Sequence, residues 1–246
     1  MNTPPEYAGT LDAAKPRRSD ESVPVPDYLE KHYWWAYVRP WAVRLFEREW
    51  LINLILWGWY RPLRDAALAA FGNYLPGRTL QISCCYGSFT PTLAERVKES
   101  DGALDVIDVS PAQVENLRRK VAGNKAAQVM LRDATDLKLP AGSYDRVIMF
   151  FLPHEMPVDA RKKSFDEAWR VLKSGGTLLI IEFGKPEWWH PLRWFYLPFL
   201  AFLEPFAPDI WGHDIAAWLP EPWINCDIRG QSIFGGYYQK LIIKKP

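Results

Sequence analysis

Hydrophobic and polar positions change rhythm several times along the chain. Residues 1–26 are polar and proline-punctuated, ending in Val23-Pro24-Val25-Pro26, a pattern that reads as a disordered tail. From Asp27 apolar residues recur at helical spacing. Asp27 is placed to cap a helix running through His32-Tyr33-Trp34-Trp35 towards Pro40, and a second helix is predicted from Trp41 to about Tyr60. The first half of that second helix is amphipathic, with Arg44 and Arg48 one turn apart. Its second half, Trp50 to Trp57, is apolar nearly all round. The run is too short to cross a bilayer, which takes about 20 residues. Two readings stay open: a helix buried in the core, or an interfacial helix with its Trp residues at headgroup depth and Arg44, Arg48, Arg61 and Arg64 near lipid phosphates.

Near residue 78 the pattern becomes a regular alternation of short apolar runs and amphipathic stretches. Strands are predicted at Thr79–Ser83, Ala103–Asp108, Ala127–Leu131, Asp145–Phe151 and Thr177–Phe183. Helices are predicted at Thr90–Glu99, from Ser110-Pro111 to about Val121, and from about Asp159 to Leu172. Ser110 followed by Pro111 is an N-cap with Pro at the first helical position, and Lys173-Ser174-Gly175-Gly176 is a turn. Such alternation specifies an α/β fold with a mostly parallel sheet covered by helices on both faces. Residues 184–222 break the rhythm with many Trp, Phe and Pro, and two strands, Trp223–Ile228 and Tyr237–Ile243, close the chain after a turn at Gly235-Gly236. The expected organisation is a tail (1–26), an N-terminal helical extension facing membrane or substrate (27–77), a nucleotide-binding core (78–183), an aromatic-rich insertion (184–222) and closing strands (223–246).

Composition narrows the function classes. Lys+Arg number 30 and Asp+Glu 29, so there is no electrostatic reason to expect nucleic acid. Thirteen Trp residues, within an aromatic content of 15%, suggest a large flat apolar partner, a membrane interface, or both. Cys84, Cys85 and Cys226 cannot form a disulfide framework and include no zinc-type pair, which fits a reducing compartment. The N-terminus has no apolar signal region, and Glu6, Asp12, Asp20 and Glu21 argue against an organelle transit peptide. The expected location is cytoplasmic, peripheral on the inner face of the membrane.

In an open α/β sheet, ligands bind at the carboxyl ends of the strands beside the switch point. Three loops converge there: Ser83-Cys84-Cys85-Tyr86-Gly87-Ser88-Phe89, Asp108-Val109-Ser110, and Arg132-Asp133-Ala134-Thr135-Asp136. Asp108, ending the second strand, is placed to accept hydrogen bonds from ribose hydroxyls. Asp133 is placed to take the exocyclic amine of adenine, with the Ala134 N–H reading the ring edge. Asp136 competes with Asp133 for that role.

The blocks Thr79–Phe89, Ile107-Asp108-Val109-Ser110-Pro111, Asp133-Ala134, Tyr144-Asp145-Arg146-Val147 and Arg170 to Gly176 resemble class I S-adenosylmethionine-dependent methyltransferases. The likeness is closest to their quinone-modifying branch and covers roughly residues 78–183. It implies a Rossmann-like fold and S-adenosylmethionine as cofactor, held by Gln81, Ser83, Cys85, Gly87, Asp108, Val109, Asp133 and Ala134. The family loop usually reads acidic-x-Gly-x-Gly-x-Gly. Here those places hold Gln81, Ser83, Cys85 and Gly87. Ser83 and Cys85 add Cβ atoms where a cofactor normally meets bare backbone. Loss of cofactor binding and a change of reaction are the two readings of that loop.

Read whole, the chain resembles the rhodoquinone-biosynthesis family. The resemblance rests on His32-Tyr33-Trp34-Trp35-Ala36-Tyr37, the Cys-Cys-Tyr-Gly loop, Phe151-Leu152-Pro153-His154-Glu155-Met156-Pro157 and Glu182-Phe183-Gly184-Lys185-Pro186. It implies replacement of a ubiquinone methoxy group by an amino group, with S-adenosylmethionine as amino donor and manganese (Mn2+) present. Tyr86 and His154 are then the expected catalytic residues. His154 and Glu155 are the expected manganese ligands, with proton carriage or a plain helix-start role as alternatives. His190, His213 and Asp214 are outlying candidates. An ordinary quinone C- or O-methyltransferase, and a non-catalytic adaptor of a quinone-biosynthesis complex, remain competing readings. The aromatic insertion and the helix at 41–60 are expected to form either a greasy funnel for a polyprenyl tail or simple core packing.

Overall fold

The computed structural model describes residues 23–212, 215–223 and 225–246. Most of the tail (1–22) and two of the outlying candidates, His213 and Asp214, lie outside those residues.

The N-terminal extension is more broken than its apolar pattern predicts. It contains α1 (Asp27–His32), a π-helical turn (Trp34–Val38), α2 (Pro40–Phe46), α3 (Glu49–Ile55) and α4 (Tyr60–Ala70). Asp27 does not cap α1: Pro26 holds the N-cap position, with no side-chain cap bond. The single helix expected at 41–60 is interrupted twice. Arg48 takes an extended conformation between α2 and α3, and Trp57 and Gly58 both have positive φ, at 52° and 81°.

The alternating region follows its predicted order. It runs β1 (Arg78–Ile82), α5 (Phe89–Glu99), β2 (Ala103–Asp108), α6 (Pro111–Lys120), β3 (Ala127–Leu131), β4 (Tyr144–Phe150), α7 (Val158–Val171) and β5 (Leu172–Phe183). Ser110 caps α6, its side chain accepting from the Gln113 N–H. The aromatic insertion folds as α8 (Leu192–Leu203) and α9 (Ala207–Gly212), followed by two 3-10 turns. β6 (Asp227–Ile233) and β7 (Tyr238–Lys244) close the chain as a hairpin, with Gly235 and Gly236 at its turn, both at positive φ. β6 therefore starts later than the predicted Trp223. That residue is fully buried instead, its indole N–H donating to the Phe165 carbonyl at 3.3 Å.

The seven strands form one sheet in the order β3-β2-β1-β4-β5-β7-β6. The first five are parallel, and β7 runs antiparallel to β5. This is the expected Rossmann-like architecture, a mostly parallel sheet with helices on both faces. Successive strand residues point to opposite faces. Val106, Ile148, Phe150, Leu179 and Ile181 pack with α4, α5 and α6 on one side. Ile107, Val147, Met149, Leu178 and Ile180 pack with Phe165, Ala168 and Val171 of α7 on the other. Full burial of a side chain such as Phe165 contributes roughly 1.5–3 kcal/mol, so two complete layers hold the strand ends in place. The order reverses between β1 and β4, and the crevice at their carboxyl ends is where the loops meet.

Candidate functional site

Two cavities lie at those strand ends. The first, about 40 Å³, is lined by Ser83 and Cys84 after β1, Asp108 and Val109 after β2, and Asp133 and Ala134 after β3. Tyr28 and Leu29 of α1 lie over it. The second, about 350 Å³, is lined mainly by apolar side chains of α3, α8 and the strand ends, with His154, Glu155 and Glu204 as its imidazole and carboxylates. Tyr37, Cys84 and Glu155 belong to both walls. The Tyr37 hydroxyl donates a short hydrogen bond to Glu155 Oε1 at that boundary.

Asp108 is nearly buried and held from three directions. Oδ1 accepts from the Ser110 N–H at 2.8 Å, and Oδ2 accepts from the Cys84 N–H at 2.7 Å and the Ser83 hydroxyl at 3.3 Å. Burial pushes its pKa up to about 6, against the pull of those bonds. The first cavity is lined by Asp133 and not by Asp136. Asp133 Oδ1 accepts from the Thr135 N–H at 2.7 Å and the Thr135 hydroxyl at 2.8 Å, an Asx turn that fixes its orientation.

The altered glycine loop is held from beneath. Gln81 is fully buried. Its amide donates to the Ser83 carbonyl at 2.8 Å and to Cys85 Sγ at 3.3 Å, and its oxygen accepts from the Thr90 hydroxyl at 3.0 Å. It lines neither cavity and acts on the loop rather than in a pocket. Ser83 sits at φ +77°, so the left-handed conformation of the missing glycine is kept by a residue that pays for it. Gly87 has φ +76°, and a Cβ there would collide with the Tyr60 hydroxyl. Its N–H donates to Glu47 Oε1 at 3.1 Å, so that group is committed within the protein. Burial pushes the Cys85 thiol up to about 11 and raises the Cys84 thiol well above its ordinary value, with the Asp108 charge adding to the second. Both stay protonated at neutral pH and are poor nucleophiles.

Tyr86 lines the second cavity. Its hydroxyl donates to the Ala36 carbonyl at 2.6 Å, and its ring stacks on Tyr37 and Phe46. The ring therefore forms wall, while the hydroxyl proton is already placed.

His154 and Glu155 lie in the 3-10 turn Pro153–Glu155 that follows β4, both buried. His154 Nδ1 stands 2.9 Å from Glu182 Oε1, and Nε2 lies 3.8 Å from Glu155 and 4.0 Å from Glu204. Burial pulls the imidazole pKa down, but the three carboxylates outweigh it and raise it to about 9. Burial pushes Glu155 up to about 8, opposed by His154 and the Tyr37 hydrogen bond, and burial raises Glu204 also. Glu204 is buried beside His154 and Tyr33. Arg161, fully buried, donates to the carbonyls of Pro153, Met156 and Phe206 and so pins the turn that carries the pair. Among the described residues no three His, Cys, Asp or Glu side chains are arranged to hold a metal ion. The expected manganese pair is thus not assembled as a ligand set: Nδ1 faces Glu182, and Glu155 faces Tyr37. His190 is buried in a separate aromatic cluster with Phe234 and Tyr237.

Tyr37, Glu182 and Glu204 were not among the expected site residues. Glu182 had a usable signal, being an acidic residue within two positions of a strand's carboxyl end, as Asp108 is. Tyr37 and Glu204 had none, because their helices are placed by tertiary packing.

Residues 79–176 match the methyltransferase domain family. The chain is 35% identical over 123 residues to a demethylmenaquinone methyltransferase of Clavibacter sepedonicus, covering 50% of this chain and 48% of that protein. It is 31% identical over 154 residues to the chloroplastic 2-methyl-6-phytyl-1,4-hydroquinone methyltransferase 1 of Oryza sativa subsp. japonica, covering 62% and 41%. The chain spans about half the length of the curated relatives it matches. Among solved structures, a phosphoethanolamine N-methyltransferase 2 of Haemonchus contortus superposes with TM-score 0.59 at 16% identity, covering 91% of this chain and 60% of that one. The N-methyltransferase NodS of Bradyrhizobium japonicum WM9, in complex with S-adenosyl-L-homocysteine, superposes with TM-score 0.53 at 14% identity, covering 76% and 87%. These superpositions establish the fold. No described helix is long and apolar enough to cross a membrane.

Proposed function

We propose that this chain, with residues 79–176 as its methyltransferase domain, is a S-adenosylmethionine-dependent enzyme that methylates the ring of a prenylated quinone in its reduced, hydroxyl-bearing form. The observation that carries this reading is the meeting of two unlike cavities at Tyr37, Cys84 and Glu155. One is edged by Asp108 and Asp133, suited to ribose and adenine. The other is apolar with a buried acid–base cluster at the shared wall. The matched demethylmenaquinone and phytyl-hydroquinone methyltransferases support a quinone-type ring as acceptor.

Bound there, the sulfonium cofactor supplies an electrophilic methyl group. The chain's residues align it with the ring and manage protons. Glu204, a buried carboxylate on the wall of the apolar cavity, takes a hydrogen bond from a ring hydroxyl, which a quinone carbonyl does not offer. His154, protonated and oriented by Glu182, donates from Nε2 to the second ring oxygen. The methyl–sulfur bond breaks as the ring–methyl bond forms, and Glu155 in its ionised state accepts the proton the ring loses.

Amino-for-methoxy exchange on ubiquinone is the second reading, favoured by the side chains of Ser83 and Cys85 in the cofactor loop. There a ring carbon gains the donor nitrogen and expels methanol. A lipid-soluble substrate in either case supports work at a membrane surface, and the cytoplasmic side is the one proposed.

Incubation of the purified chain with S-adenosylmethionine and either demethylated quinols or ubiquinone, followed by mass spectrometry, separates the readings. Methylation raises the product mass. Amino exchange lowers it, and manganese addition and chelation are arms of the same assay. An unchanged mass in every arm supports an adaptor and overturns both.

A further inference from the structure

The helices that wall the apolar cavity carry a second apolar face, turned outward. Ile52, Ile55 and Leu56 line the cavity from α3 and its end, and Leu200 and Leu203 line it from α8. On the outside of α3, Trp50 is 61% exposed and Leu54 65% exposed, and Trp57 beyond it is also exposed. No residue of α3 is buried. α2 adds exposed Trp41 and Leu45, and α8 adds Trp194 and Phe202, the latter 83% exposed. Scattered surface hydrophobes need no explanation, but several large side chains on three helices that line one cavity do.

Charge identifies the occupant. Arg39, Arg44 and Arg48 are exposed on the same segment. Arg44 follows Trp41 at the spacing that keeps residues on one side of α2, Arg48 stands exposed in the break before α3, and neither has a carboxylate partner among the described residues. The segment's two carboxylates are turned inward. Glu47 accepts from Lys120, the Gly87 N–H and Asn116. Glu49 accepts from Ser88 and Arg61. What remains outside is indole, leucine and guanidinium, the set that an anionic lipid surface satisfies: rings at headgroup depth, arginines on phosphate.

We propose that α2, α3 and the exposed side of α8 form a docking surface for an anionic lipid bilayer, seated in its interface. Docking places the cavity walls formed by α3 and α8 against lipid. Delivery of a prenylated ring by this route rests on the quinone reading above, whereas bilayer binding itself does not.

The test is flotation of the purified full chain with vesicles of phosphatidylcholine alone or mixed with phosphatidylglycerol. The wild type is expected to float with the mixed vesicles and much less with the neutral ones. Trp50→Ser with Leu54→Ser lowers partitioning at least about tenfold on the mixed vesicles, since two large apolar side chains no longer enter lipid. Arg44→Glu with Arg48→Glu lowers it by at least about tenfold on anionic vesicles alone, at about fivefold per basic residue, and added salt weakens the wild type likewise. All four side chains are exposed, and circular dichroism and thermal midpoint verify that each variant is folded. Three results each overturn the proposal: a wild type that stays with the soluble fraction, folded variants that float as the wild type does, or light scattering showing that Trp50 and Leu54 instead hold two copies of the chain together. Unchanged product chemistry in detergent alongside lost flotation separates failure of docking from failure of the quinone reading.

Discussion

Tyr37 and Glu155, 118 positions apart, share the hydrogen bond that stands where the two cavities meet. The bond does two things. It occupies the line between the nucleoside-side pocket and the apolar pocket, and it lowers the Glu155 pKa against the larger upward push of burial. Tyr37→Phe removes the donor and keeps the ring. Transfer should fall by at least about tenfold, the usual scale for a lost hydrogen bond to a charged group. The alkaline-rising limb of the pH–rate profile should move upward, because Glu155 then ionises with less help. A profile left in place separates Tyr37 from Glu155 function.

Fold stability should decline as pH rises through neutrality. His154 has a folded pKa of about 9, above its ordinary 6.5, and Glu155 about 8, above 4.5. The folded state therefore binds more protons than the unfolded one, which makes the slope of stability against pH negative. The His154 contribution is complete below about 6.5 and is lost as pH rises through about 9. Urea midpoints across this range should fall, and Glu182→Gln should flatten the part that belongs to His154. A midpoint that climbs with pH contradicts the assignment.

Ser83→Gly should stabilise the fold. Positive φ costs a non-glycine residue about 1–3 kcal/mol, and the substitution loses two long hydroxyl contacts, each 3.3 Å, to Asp108 Oδ2 and the Cys84 carbonyl. The expected net gain is about 1 kcal/mol, read as a higher thermal midpoint. The same variant combined with Cys85→Gly bears on reaction type: unchanged amino-transfer activity would detach the loop from any change of chemistry.

Gly87→Ala should destabilise by roughly 1–3 kcal/mol, combining left-handed backbone strain with a collision against the Tyr60 hydroxyl. Tyr60→Phe in the same background should recover the hydroxyl part of the collision, the ring Cζ remaining 2.7 Å from the added Cβ, so the two losses should combine less than additively. Additive losses in the double variant would place the cost elsewhere.

Asp108→Asn should weaken binding of S-adenosylhomocysteine by about tenfold or more, since a neutral amide accepts less strongly and one of its atoms only donates. Calorimetry reads this without turnover. Wild-type affinity in the variant removes Asp108 from the nucleoside site.

The alternating core was legible because each strand and helix there is specified by its own residues. Apolar runs at Leu104–Ile107 and Val147–Phe150, the cap at Ser110-Pro111 and the turn at Gly175-Gly176 act over a few positions, so reading the chain locally recovers them. Asp108 and Asp133 were legible for the same reason, since a parallel sheet brings loop ends to one edge whatever lies further along the chain. The N-terminal extension was not. Its apolar residues predict one helix from Trp41 to Tyr60, but Arg48 and Trp57 adopt non-helical backbone to fit α3 over the cavity and to turn Glu47 and Glu49 towards Gly87 and Ser88.

The sequence by itself determined the order of strands and helices, the sheet edge at which the loops converge, and the two acidic residues at that edge. Local periodicity and strand-end geometry suffice for those. Only the tertiary structure decided that Tyr37 meets Glu155, that Glu182 and Glu204 join His154, and that Gln81 serves the loop rather than a pocket. Those partners lie on elements far apart in the chain, and their distances and burial follow from how helices and strands pack, which no local pattern encodes.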